Sequence, residues 1–109
     1  MILKRKLRYI LVETSRDFDA ADRRAIGELE SALMGFMGEH QYADANFRVA
    51  TMCGGNTFIA SVNRGAERSV LLSLSFVRRL GNRDIGIYTI RTSGTMRKLL
   101  SECKKLYGG

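Results

Sequence analysis

Residue types and spacing come closest to chemistry in the stretch Thr92-Ser93-Gly94-Thr95-Met96-Arg97-Lys98. Gly94 between two hydroxyl residues permits a sharp turn, and a helix beginning just after it offers unpaired N–H groups to an anion. Arg97 and Lys98 follow at once and Arg91 precedes, so the anion that this pattern suits is a phosphate. Further cations gather at Lys4, Arg5, Lys6 and Arg8, and again at Arg64 and Arg68.

Groups for covalent or acid–base catalysis are scarce. The one histidine, His40, falls in an expected loop with no nucleophile beside it at a recognisable spacing. Ser93 lacks the G-x-S-x-G elbow, and the acids cluster on the exposed side of one amphipathic helix. No catalytic residue is expected, and no cofactor or metal is expected on the protein itself. Cys53 and Cys103 lie far apart, form no CxxC pair and cannot complete a zinc site with His40. They read as two free, buried thiols in a reducing compartment.

Four strands and three helices are needed to carry these residues. Positions 6 to 14 form a branched and aromatic run, apolar at both parities, as in a strand covered on both faces. From Asp19 onward Ile26, Leu29, Leu33, Phe36 and Met37 recur at helical spacing, with Asp17, Asp19 and Asp22 near the start and Gly35 and Gly38 at the end. Phe47 to Cys53 and Thr57 to Asn63 are strand-length runs joined by Gly54-Gly55-Asn56, a hairpin signal. Ala66 to Leu80 reads as a largely buried helix, with Val70, Leu74 and Val77 on one side and Leu72, Phe76 and Leu80 adjoining. Arg78, Arg79 and Arg83 then read as cations complementing its C-terminus. A turn at Gly81 to Asp84 leads into a strand from Ile85 to Thr92.

The last helix carries an apolar stripe of Met96, Leu99, Leu100, Cys103, Leu106 and Tyr107, opposite Arg97, Lys98, Lys104 and Lys105. One side docks and the other is cationic. The order predicts an α+β fold: a ferredoxin-like, RNA-recognition-like βαββαβ sandwich with a four-stranded antiparallel sheet, an extra C-terminal helix and one domain over residues 1–109. The extra helix, or a partner, must cover the sheet face opposite the first two helices. In such a sheet the first strand neighbours both the third and the fourth, so the three cation clusters form one continuous rim.

Charge divides the chain as sharply as hydropathy. Lys and Arg number 18 against 11 Asp and Glu, a net of +7, yet seven of those acids and only two bases lie between Asp17 and Asp44. The remainder is therefore strongly cationic, which favours a polyanionic partner, with the acidic helix turned toward solvent, a basic protein patch or a second copy. No apolar stretch approaches the roughly 20 residues of a membrane span, and the N-terminus lacks a signal-peptide core, so a cytoplasmic protein without a membrane partner is expected. Thr57 to Asn63 does not match the RNA-recognition consensus, which leaves Tyr9 and Phe58 as candidates for base stacking and favours recognition of backbone and shape.

Arg8-Tyr9 in the first strand, Val62-Asn63-Arg64 closing the third, and Thr92 to Arg97 before the last helix resemble the Pop-five type protein subunit family of archaeal ribonuclease P, also called protein component 2. The likeness runs through essentially the whole chain, departing at Arg91-Thr92, where Gly-Val is expected, and at Val62, where Cys is common. It implies a subunit that binds and stabilises a catalytic RNA, which removes 5′ leaders from precursor tRNA and performs the hydrolysis with Mg²⁺. The implied protein partner is a larger, barrel-like subunit of the Rpp-thirty type (protein component 3), with a homodimer inside a heterotetramer as a further form. The expected RNA-binding residues are Lys4, Arg5, Lys6, Arg8, Arg64, Arg91, Ser93, Gly94, Thr95, Arg97 and Lys98. Two rivals remain: a ferredoxin-like regulatory or adaptor module that binds a protein or small ligand without RNA, and a small acyl-phosphate hydrolase, which needs an Arg cradle and a positioned Asn.

Overall fold

A computed structural model describes residues 6–15, 23–54, 56–81 and 83–107, with side chains through Lys105. Asp17, Asp19 and Asp22, and with them the expected start of the first helix, lie outside the described residues. The elements run β1 (Leu7–Thr14), α1 (Arg23–Met37), α2 (Glu39–Ala45), β2 (Arg48–Gly54), β3 (Thr57–Asn63), α3 (Glu67–Phe76), β4 (Arg79–Leu80), β5 (Arg83–Asp84), β6 (Ile87–Ser93) and α4 (Met96–Tyr107). The main sheet is antiparallel with order β2-β3-β1-β6, so the expected ferredoxin-like topology holds.

Alternation of side chains along the two central strands creates two cores. On one face Ile10, Val12, Phe58, Ala60 and Val62 meet Leu29, Leu33 and Met37 of α1 and Val70 and Leu74 of α3. On the other, Leu11 and Ile59 meet Leu99 and Cys103 of α4, with Tyr9, Cys53 and Met96 at the margin. β3 is buried at all seven positions because it is covered from both sides. The last helix therefore supplies the cover that the apolar parity of β1 demands.

Both edge strands break step with their neighbours. Leu11 faces Arg91 while Val12 faces Thr89, so Ile90 is an extra residue in β6. The β2–β3 ladder slips twice, at Ala50 and at Cys53. The first slip reverses the alternation after Val49, so Met52 packs on the α1–α3 side and the next residue, Cys53, joins the α4 core.

Four expectations need correction. Cys53 and Cys103 are not free thiols but form a disulfide between β2 and α4, with a Cα–Cα distance of 5.5 Å. Sequence spacing hid this because their separation of 50 residues is bridged only by the tertiary fold. His40 lies on a helix, not in a loop: Gly38, at φ 87°, breaks α1 and starts α2, a short element that buries only Ala45 and so shows no apolar stripe.

The helix expected to reach Leu80 stops at Phe76, where Val77 turns to extended backbone and Arg79–Leu80 pairs with Arg83–Asp84. Leu72 and Phe76 are consequently exposed, and the Phe76 ring lies 5.7 Å from that of Phe36. Arg78, Arg79 and Arg83 thus lie beyond the last turn of the helix, and Arg79 Nε donates to Asp84 Oδ1 at 3.2 Å within the hairpin. No helix among the described residues is long and apolar enough to cross a membrane.

The α4 core is small enough for the disulfide to matter. Among the described side chains of α4, Leu99 is the one large residue that is fully buried, worth roughly 1.5–3 kcal/mol. In the chain-entropy model, closing a loop of this length stabilises by about 4 kcal/mol. Urea denaturation of oxidised protein should therefore show a loss approaching about 4 kcal/mol in the Cys53→Ser/Cys103→Ser double variant, and reductant should bring wild type to the same midpoint. Coincident midpoints for the variant and oxidised wild type would show that the helix is held without the bond.

Candidate nucleic-acid interface

The antiparallel ladders bring one end of β1 together with the end of β3 and the end of β6. Leu7 stands opposite Asn63 and Tyr9 opposite Ser93, and the Arg64 N–H donates to Lys6 O at 2.7 Å. Lys6, Leu7, Arg8, Tyr9, Arg64 and Gly94 consequently line one cavity of about 380 Å³. Three cations from two strand ends thus meet beside the turn that leads into α4. Lys4 and Arg5 lie outside the described residues.

Arg8 is half-buried, and its Nε is buried without a hydrogen-bond partner, 4.0 Å from Glu67 Oε1. Glu67 stands in the first turn of α3, where its Oε2 accepts the Gly65 N–H at 2.7 Å. Gly65 adopts φ 100°, a conformation that glycine reaches without a Cβ clash. The Glu67 carboxyl is held below its usual range, first by hydrogen bonding from its own backbone N–H and also by that of Gly65 and the charges of Arg8 and Arg64, against a smaller opposing effect of burial. Arg68 lines a neighbouring cavity with Gly65, Glu67 and Leu71.

The Ser-Gly-Thr turn divides its labour. Ser93 is buried and its hydroxyl accepts the Thr95 N–H at 3.1 Å, so this side chain holds the turn. Gly94 is exposed and forms part of the cleft wall; a Cβ there would lie 3.3 Å from Arg8 Nη1. Thr95 is exposed just ahead of α4. Arg97 and Lys98 are exposed in the first turn of α4, which holds no acid, whereas Lys104 and Lys105 occupy the last turn. Cations suit the last turn but are disfavoured in the first, by roughly 0.3–1 kcal/mol each. An anion at this end relieves that cost.

Arg91 is engaged differently from its neighbours: its Nη1 donates to Glu102 Oε1 of α4 at 2.8 Å, fastening the helix to β6. Phe58 is fully buried in the α1–α3 core and cannot meet a base, which corrects that expectation; Tyr9 does reach the cleft. The buried Asn63 donates to Asp44 O at 2.8 Å and so anchors α2, leaving it no role as a positioned hydrolase group. Sequence reasoning missed Glu67 and Glu102. Glu67 had a signal, an acid three residues beyond Arg64 at a helix start; Glu102 had none, since its partner is on another element.

The acidic elements lie on the opposite side of the sheet from α4. Glu30 there accepts a hydrogen bond from Tyr42, whose phenol is pushed up to about 12 by burial, then by the charge of Glu30 and by that bond. Exposed His40 lies 3.8 Å from Asp44, one turn on.

Comparison with known proteins adds a family and a fold. Residues 8–104 match the family model described as the Rpp14/Pop5 family. Among solved structures, a chain of yeast ribonuclease MRP, determined by cryo-EM, is similar at a TM-score of 0.54 and 10% identity, over 99% of this chain and 98% of that one. No curated protein matches.

Because the Glu67 carboxyl lies lower in the folded chain than in the unfolded one, its contribution to stability is complete above the ordinary glutamate pKa and is lost as pH falls through the depressed value. An NMR titration of the Glu67 side chain should give a midpoint below that of an ordinary glutamate, and Glu67→Gln should flatten this part of the acid-side stability profile. A midpoint at the ordinary value would break the link between Glu67 and the cations around it.

Proposed function

The chain belongs to the Rpp14/Pop5 family, and on that premise we propose that it is a protein subunit of a ribonuclease P- or MRP-type ribonucleoprotein, binding and stabilising the catalytic RNA. The observation that carries this reading is the convergence of Lys6, Arg8 and Arg64 on one cleft, next to a helix that begins with two unneutralised cations. In such an assembly the protein performs no bond cleavage. RNA with Mg²⁺ hydrolyses the precursor tRNA to release the 5′ leader, and cationic side chains lower the repulsion among phosphates that folding the RNA creates.

Within that reading Lys6, Arg8, Arg64, Arg97 and Lys98 contact phosphate directly, and Lys4 and Arg5 extend the same charge. Arg91 adds an exposed guanidinium edge while holding α4, and Ser93, Gly94 and Thr95 shape the turn between cleft and helix. Glu28, Glu30, Glu39 and Asp44 repel RNA, which turns α1 and α2 toward a basic protein partner. A larger subunit of the Rpp-thirty type fits that role, with a homodimer in a heterotetramer as the assembled form, and a cytoplasmic location goes with it.

Reconstitution of the catalytic RNA and the larger protein partner, with and without this chain, should show precursor cleavage at lower Mg²⁺ when the chain is present. Arg97→Ala and Lys98→Ala should each weaken RNA binding at all sequences and reduce the slope of log affinity against log salt by about 1. Identical Mg²⁺ curves with and without the chain would remove the reading, and unchanged salt slopes would misplace the rim.

A further inference from the structure

We propose that the cleft at the end of the sheet receives one unpaired nucleotide, with its phosphate among Lys6, Arg8 and Arg64 and its base against Leu7 and Tyr9. This rests on the reading of the chain as an RNA-binding subunit and specifies which part of the RNA this end takes.

Shape argues first. The cations at the start of α4 are exposed on a convex helix and suit the outside of any phosphate backbone, duplex or single-stranded. Those of the cleft line a concavity of about 380 Å³, within the ~300–1,000 Å³ range of small-ligand sites. A duplex is too broad to enter it, whereas a single nucleotide turned out of a helix has the required size. The lining argues second: Leu7 remains 38% exposed and Tyr9 half-buried amid three cations. Apolar surface has no part in holding a bare phosphate but provides the platform on which an unstacked base rests.

Arg8 argues third. Its Nε has been taken out of water without gaining a hydrogen bond, since the Glu67 oxygen at 4.0 Å is too distant for one. The guanidinium as a whole still lines the cleft with its side chain about one-third exposed, so its charge meets a phosphate there, and a small turn of the side chain would bring Nε to an acceptor as well. Gly94 keeps the wall open, because side-chain atoms at that position would crowd Arg8 Nη1.

The test is fluorescence anisotropy at matched salt. The full chain is titrated into a labelled, unstructured single-stranded RNA of about 12 nucleotides and into a blunt duplex containing the same strand, a footprint within the range of single-strand binding sites. Wild type should bind the single strand several-fold more tightly. Tyr9→Leu should lower single-strand affinity about tenfold, the scale of losing one base–aromatic stack, and leave duplex affinity unchanged. Gly94→Val, which fills the cleft from an exposed position, should reproduce that selective loss even if Tyr9→Leu disturbs the α4 core. Lys98→Ala should weaken both RNAs alike. If both RNAs bind equally and neither Tyr9→Leu nor Gly94→Val distinguishes them, the nucleotide cleft is overturned while the general RNA role stands. Failure to bind either RNA, with no effect of Lys98→Ala, overturns both.

Discussion

Leu7 opposite Asn63, Tyr9 opposite Ser93 and Ile10 opposite Ala60 define how β1 sits between its two neighbours, and the rest of the molecule follows from that placement. Side chains in a strand alternate between faces, so a slip of one residue would send Ile10 and Val12 toward α4 and Leu11 toward α1 and α3. Both cores would be lost together. The same pairing carries the chain ends of β1, β3 and β6 to one place, so the interactions that bury the core also gather Lys6, Arg8 and Arg64. The cationic site is a by-product of register, and no separate binding loop is needed to build it.

Electrostatics gives the molecule two sides. The helices packed on one sheet face carry Glu28, Glu30, Glu39 and Asp44, and the other face bears α4 with Arg97, Lys98, Lys104 and Lys105. Surface ion pairs such as Arg24–Glu28 and Arg79–Asp84 add little stability individually. Their separation from the cationic cleft matters more, because a polyanion approaching the molecule is drawn to one side and repelled from the other.

The strongly periodic parts of the fold were legible in the sequence. The double-sided apolar run of β1, the Gly-Asn punctuation between β2 and β3, and the stripe of Met96, Leu99 and Cys103 each report packing that is regular along the chain. Irregular features escaped. α2 buries too little to produce a pattern, and the β4–β5 hairpin follows an apolar helical signal that continues past the point where Val77 leaves the helix. The Cys53–Cys103 bond depends on the slip at Ala50, which places Cys53 on the opposite face from Val49, and spacing cannot show such a slip. Of the site, the cations and the turn were readable because like charges cluster locally. The ion pairs that modify them were not: Glu67 shows its nearness to Arg64 in the sequence but not its pairing with Arg8, and Glu102 shows no sign of Arg91, because each pair joins residues from different elements.

Ile90 in β6 and Ala50 and Cys53 in β2 leave the sheet with irregular hydrogen-bonding groups at both borders. A straight, regular border is a template onto which an extended peptide or another sheet can add a strand; an interrupted one is a poor template. A ribonucleoprotein subunit must pass through a crowded period of synthesis and assembly before its surfaces are covered. The offset borders make this chain a poor seed for ribbon-like aggregation during that interval.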